Sequence, residues 1–223
     1  MPSAVLIDLF NTLVPGGDTD RAAMVRDMAA ELGVDPDEFA RMVVVTWPER
    51  MRGVHGDLVT EVAVLAQRLG IHPTVEQVAT AAERRFVFGR RVVIAPESAL
   101  AVLAALRAAG LRLAIVSNCT FDSAAALRST PLAAAIDALA LSCEVHHGKP
   151  EPEIYRYALD ALDVKPADAV YVGDGADGEL EGAATLGMRV IQSTQYVHND
   201  PSWTGERIST ITDLPHLLAS QDN

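Results

Sequence analysis

The sequence predicts a doubly wound, Rossmann-like α/β core with a parallel sheet, interrupted by a second, smaller, all-helical unit. Two observations carry that reading. Five short apolar runs, over 4–7, 111–116, 138–141, 169–172 and 188–191, are near-continuous hydrophobics rather than alternating ones. Strands buried on both faces of a parallel sheet have this pattern. Helical stretches separate the later four runs, and strand–helix alternation argues for right-handed crossovers.

The first run, 4–7, stands alone. After it come helical patterns at 20–32, 36–50, 57–69 and 74–90, with one short β-like run, Val43-Val44-Val45, inside a helical context. Asp35-Pro36 is a helix start, and Thr74 with Gln77 has capping-box spacing. Pro15-Gly16-Gly17 and Ala95-Pro96 mark the junctions. The intervening segment is too long for a crossover. The expected division is therefore a core of residues 1–14 and 93–223 and a helical cap of residues 15–92. The core resumes with a helix over 98–109, closed by Gly110. The Ala-rich 124–135 stretch is helix-forming sequence. The 152–162 stretch puts Ile154, Tyr155, Ala158, Leu159 and Leu162 on one helix face. A helix over 180–186 ends at Gly187. From about 195 the chain reads as a loop, a short last strand near Ile208 and a closing helix.

Composition narrows the partners. Hydrophobic residues make up 49% and aromatics only 5% of the 223 residues, so the core is built from small aliphatic side chains. A net charge of -12 argues against nucleic acid or an anionic membrane as a partner. It leaves room for a small anionic substrate, because a metal ion can reverse the local field. Cys119 and Cys143 each follow an apolar run and read as buried thiols. The start has no basic leader, and no apolar run approaches the ~20 residues that span a bilayer. The expectation is a reduced, cytoplasmic protein, monomeric or homodimeric.

Ligands of open α/β sheets bind beyond the carboxyl ends of the strands. There the chain places Asp8 to Thr12, then Ser117-Asn118, then Lys149 in His147-Gly148-Lys149-Pro150, then Gly173-Asp174-Gly175. Any one of these is commonly a turn former or helix cap. Four in order point to one site.

The ordered set resembles the haloacid-dehalogenase-like hydrolases over nearly the whole chain. The family's Asp-x-x-x-Thr motif matches Asp8 to Thr12, and its Ser or Thr after an apolar run matches Ser117. Its Lys before Pro matches Lys149, and its Gly-Asp with a later acid matches Gly173-Asp174 with Glu179. The resemblance implies Asp8 as nucleophile and Mg²⁺ held by Asp8, the Phe10 carbonyl and Asp174. Glu179 would support the metal, with Asp177 the competing candidate. It further implies Thr12, Ser117 and Asn118 around the transferring group and Lys149 neutralising charge. The function so implied is phosphatase-type hydrolysis of a small phosphoester.

One position departs from the phosphatase pattern. Residue 10, where such enzymes carry a second Asp for proton transfer, is Phe10. An aromatic there also fits 2-haloacid dehalogenases, as do Ser117-Asn118 and Tyr155, but Asp174 would repel a carboxylate substrate. A catalytically impaired binding protein on the same fold is the other alternative. Gly173-Asp174-Gly175-Ala176-Asp177-Gly178 also matches a dinucleotide fingerprint, yet it follows the fourth strand and would set Asp174 and Asp177 against a pyrophosphate. Within the cap, 47–53 is the most distinctive stretch, and Arg50 or Arg52 is positioned to reach an anionic substrate tail. His146 and His147 read as loop residues rather than metal ligands, though either can serve as the missing acid–base group.

Overall fold

The computed structural model describes residues 2–16 and 18–220. Gly17, at the end of the expected junction, lies outside the described residues, as do residues 1 and 221–223. Six strands form one sheet: β1 (Ala4–Ile7), β2 (Arg112–Ser117), β3 (Ala138–Leu141), β4 (Ala169–Gly173), β5 (Arg189–Ser193) and β6 (Glu206–Ile208). Their order is β3-β2-β1-β4-β5-β6, and all pairings are parallel. The five apolar runs become the first five strands. The sixth, near Ile208, is the expected short one. The strand order reverses at β1, where doubly wound sheets open their binding crevice.

The continuous hydrophobicity of the runs has a direct cause. Val5, Ile7, Leu113, Ile115, Val170 and Val172 pack into one core layer. Ala4, Leu6, Ala114, Val116 and Tyr171 pack into another. Alternate side chains enter opposite faces, and both faces are covered. One face carries α6 (Glu97–Ala108), α7 (Phe121–Arg128), α8 (Pro131–Ala134) and α12 (Leu214–Ala219). The other carries α10 (Pro152–Leu162) and α11 (Glu179–Thr185). A single helical turn after β3, residues Ser142–Val145 (α9), had no periodic signal.

Between β1 and α6 the described chain is helical: α1 (Asp18–Leu32), α2 (Pro36–Val45), α3 (Trp47–Met51), α4 (Leu58–Arg68) and α5 (Val75–Val92). These helices bury Met28, Leu32, Phe39, Val62, Leu65 and Phe88 in a hydrophobic cluster of their own. The capping box forms: Gln77 N–H donates to Thr74 Oγ1 at 3.2 Å, and Thr74 N–H to Gln77 Oε1 at 2.9 Å. The helix expected over 36–50 breaks at Thr46. Its hydroxyl donates back to Met42 O at 2.6 Å, and Pro48 has no N–H to continue the ladder. Val43 to Val45 stay helical.

The helical segment rests on the core through close backbone approaches. A Cβ on Gly89 of α5 would come within 2.9 Å of Asp122 O on α7. A Cβ on Gly53 would collide with Cys143 O, and Gly53 holds φ +65. Cys119 and Cys143 are free and buried, with the Cys119 thiol pushed up by its hydrogen bond with Cys143 and by burial. Among the described residues no helix is long and apolar enough to cross a membrane.

Candidate active site

Register brings the strand-end residues together. Ile7 is level with Ile115 of β2 and Val172 of β4. One step further, Asp8 N–H donates to Val172 O at 2.8 Å. Asp8 thus leaves the central strand flanked by the ends of β2 and β4, from which Ser117 and Asp174 emerge. Lys149 arrives from the loop between α9 and α10. Its Nζ donates to both Asp8 Oδ1 and Glu179 Oε2. Asn118 pins that loop: its Oδ1 accepts from Lys149 N–H at 2.7 Å, and its Nδ2 donates to Lys149 O at 3.1 Å.

Of the two acids in the fourth loop, Glu179 lies beside Asp8 and Asp174, and Asp177 does not. Glu179 is fully buried, and Gly175 N–H donates to its Oε1 at 2.9 Å. Gly173 makes the space, since a Cβ there would collide with Glu179 Oε1. Asp177 is exposed and instead accepts from Asn118 Nδ2 at 2.9 Å. Asp8, Asp174 and Glu179 each offer a carboxylate oxygen, and these lie within 4.8 Å of one another.

Three buried carboxylates facing one ammonium leave two negative charges unmatched. Burial pushes the Asp8 carboxyl up to about 8; Lys149 pulls it down, while Glu179 and Asp174 push it up. Asp174 rises to about 6, through burial and then Glu179. Burial would lower the Lys149 ammonium, but Asp8 and Glu179 outweigh it and hold it above its usual range. Oxygen donors at this spacing suit a hard divalent cation such as Mg²⁺. Two further polar atoms await a partner: Thr12 Oγ1 and Ser117 Oγ are fully buried and bond to nothing. Buried hydroxyls are rarely left so; Ser193 Oγ, at the end of β5, is a third.

A family model for haloacid dehalogenase-like hydrolases matches residues 2–187. The chain belongs to that family. This haloacid dehalogenase-like hydrolase is 28% identical over 230 residues to (S)-2-haloacid dehalogenase 1 of Pseudomonas sp. strain CBS-3, covering 96% of each chain. It is 26% identical over 229 residues to ribulose-1,5-bisphosphate 5-phosphatase of Halopiger xanaduensis, covering 98% of this chain and 95% of that one. In fold it is similar to a solved 2-haloacid dehalogenase from Pseudomonas syringae, with a TM-score of 0.72 at 22% identity over 98% of this chain and 99% of that one. Dehalogenases and phosphatases thus both stand among its relatives.

The hydrolase's site also uses residues that its motifs do not contain. Tyr171 OH donates to Glu179 Oε2 at 2.6 Å, and Lys149 Nζ donates to Tyr171 OH at 3.3 Å. A tyrosine inside a strand buried on both faces needs such a partner, and that was the readable signal. Tyr155 OH donates to Glu179 O at 2.9 Å, which anchors the start of α11. Asn199 Nδ2 donates to Asp174 Oδ2 at 2.8 Å from a loop with no pattern to betray it. Phe10 is half-buried and packs against the core cluster.

Arg50 and Arg52 are engaged elsewhere. Arg50 is buried over the Trp47 ring, donates to Val43 O at 2.6 Å and to Thr46 Oγ1 at 3.2 Å, and pairs with Glu61 at 3.5 Å. Arg52 grips both oxygens of Glu151. His147 Nδ1 lies 3.0 Å from the same carboxylate, and His146 Nδ1 lies 2.8 Å from Arg52 O. His147, Glu151 and Glu153 are close enough to share an ion, but they are half-buried or exposed, and Glu151 already serves Arg52. Sequence reading missed Arg85, which donates to Asp122 Oδ1 at 2.9 Å and Thr120 Oγ1 at 3.0 Å and also pairs with Glu61.

Proposed function

We propose that this hydrolase is a Mg²⁺-dependent phosphatase of a small phosphorylated metabolite, with Asp8 as nucleophile. The observation that supports it is the surplus of buried carboxylate around Asp8: Asp8, Asp174 and Glu179 against Lys149 alone. Without a cation such a cluster holds protons instead of charge. Asp8, the Phe10 carbonyl, Asp174 and Glu179 would hold Mg²⁺, which when bound neutralises these groups and polarises phosphoryl oxygens.

In this reading an Asp8 oxygen attacks phosphorus, the bond from phosphorus to the leaving oxygen breaks, and an aspartyl ester forms. Water then hydrolyses that ester. The unpartnered Thr12 and Ser117 hydroxyls donate to the phosphoryl oxygens. Lys149 balances the growing charge, held in place by Asn118. Residues 15–92 form a cap that excludes water. The protein acts in the cytoplasm, as a monomer or homodimer. Phe10 donates no proton, so the reaction favours leaving groups that depart as stable anions.

A second reading, 2-haloacid dehalogenation, draws on the aromatic Phe10 and the likeness to (S)-2-haloacid dehalogenase 1 along the chain. One panel separates the two: phosphoesters, phosphonates and 2-haloacids, each with Mg²⁺ and with EDTA. Phosphate release that needs Mg²⁺ is expected. Halide release that persists in EDTA, with no phosphate release, would reverse the choice.

A further inference from the structure

A leaving group at the Asp8 end of the sheet has to meet what the helical segment presents there, and along 47–53 the charged side chains are already paired. Arg50 faces Glu61 and Arg52 faces Glu151. Between them Met51 is buried, and its thioether lies on Gly148. A Cβ built on Gly148 would stand 2.9 Å from Met51 Cε and 3.0 Å from Asn118 Oδ1. Gly148 adjoins Lys149, whose Nζ bonds Asp8, and Asn118 holds the Lys149 backbone. The Met51 thioether therefore lies against the loop that carries the site's ammonium, with the Asn118 amide also beside Gly148. Two residues on, a Cβ at Gly53 would lie 3.2 Å from Phe121 Cζ, so a half-buried phenyl ring flanks the same approach.

We infer that Met51, with Phe121 beside it, is the specificity-determining surface for an uncharged, apolar leaving group, and that esters bearing a second anionic group are rejected. This rests on the phosphatase reading. A carboxylate brought against a thioether and a phenyl ring loses its hydration and gains no cation. Arg50 is held by Val43 O, Thr46 Oγ1 and Glu61, and Arg52 turns toward the carboxylate only by giving up both oxygens of Glu151. An apolar body pays no such penalty, and an unbranched thioether adapts to alkyl or aryl shapes alike.

The test compares 4-ethylphenyl phosphate with 4-(carboxymethyl)phenyl phosphate, whose phenols have similar acidity. It reads kcat/KM with Mg²⁺. It also reads calorimetric binding of the matching benzylphosphonates, which needs no turnover. The ethyl compound is expected to win in both by about 10-fold or more, at the scale on which apolar pockets discriminate. Met51→Lys should shrink or invert the preference, and Met51→Leu should keep it. A wild-type preference for the carboxymethyl compound overturns the inference. So does a preference unmoved in Met51→Lys that unfolds at the wild-type temperature, or failure of the ethyl phosphonate to bind. If Met51→Lys does not fold, Met51→Ala takes its place: a reduced ethyl preference supports the inference and an unchanged one overturns it. Binding preference without ester hydrolysis removes the phosphatase reading and keeps this one; hydrolysis that favours the carboxymethyl ester does the reverse.

Discussion

Arg50, Glu61, Arg85 and Asp122 form one buried cluster of four charges; Asp8, Lys149, Asp174 and Glu179 form another. All eight side chains are buried. The first cluster balances two cations with two anions, and Arg85 bonds both carboxylates. It joins α4 and α5 to α7, across the boundary between the helical segment and the core. The second sets three anions against one cation and has unbonded hydroxyls beside it. Burial is the same in both, so burial alone does not mark a site. The difference lies in charge balance: a balanced cluster is complete within the chain, and an unbalanced one asks for something from outside it.

The sharpest way to break this comparison is at Asp8. Asp8→Asn should lower turnover by about 10⁴-fold or more in steady-state assays. It should not lower the unfolding temperature, because it removes one of the surplus charges. Near wild-type turnover would take the nucleophile role from Asp8. Arg85→Met should do the opposite. It takes the cation from buried Asp122, leaves Glu61 with Arg50 alone, and should cost roughly 3–5 kcal/mol in urea unfolding. A loss under about 1 kcal/mol would mean that the balanced cluster is not holding the two parts together. The same cluster has a pH signature. Burial pushes the Asp122 carboxyl up, but Arg85 and the Thr120 hydroxyl outweigh it and hold it below 3.8. A lowered carboxyl stabilises the fold above its unfolded pKa, and that contribution fades as pH falls through the folded value. The wild type should therefore lose stability below about pH 4, and Asp122→Asn should lose less over the same window. The smallest expected change is a gain. Phe10→Asp should raise phosphatase turnover about 10²-fold on esters with poor leaving groups and little on good ones. Equal gains on both would mean that proton transfer to the leaving group is not what the wild type lacks.

Much of this was legible because a parallel sheet sorts polar residues to one edge. Asp8, Ser117, Lys149 and Asp174 each follow an apolar run, so sequence order alone brings them together. The acid of the fourth loop was not settled that way. Asp177 and Glu179 are two residues apart, and it is the space above Gly173 that lets Glu179 turn in beside Asp8 and Asp174. The break at Thr46 depends on a hydroxyl turning back to Met42 O, a local choice that periodicity does not record. Arg50 and Arg52 looked free because their partners are distant or unmarked: Glu61 lies on the next helix and Glu151 at the far end of the Lys149 loop. Arg85 and Asp122 are a helix apart in kind and 37 positions apart in number, with nothing in either stretch to pair them. Tyr171 was the one missed residue with a readable sign, a phenol in a strand with no solvent to reach.

The position of β1 has a consequence for how the chain comes to be folded. Ala4 pairs with Arg112 on one side and Ala169 on the other. The strand that carries Asp8 is synthesised before either neighbour and has no strand to pair with until more than a hundred residues have followed. At roughly 5–20 residues per second on the ribosome, that is several seconds or more of waiting. The helical segment emerges in this interval and can gather its own cluster of Phe39, Leu65 and Phe88 from nearby contacts. The strand that leads into Asp8 thus gains its first partner with β2 and its second only with β4, and the edge where Asp8, Ser117 and Asp174 meet is closed only then.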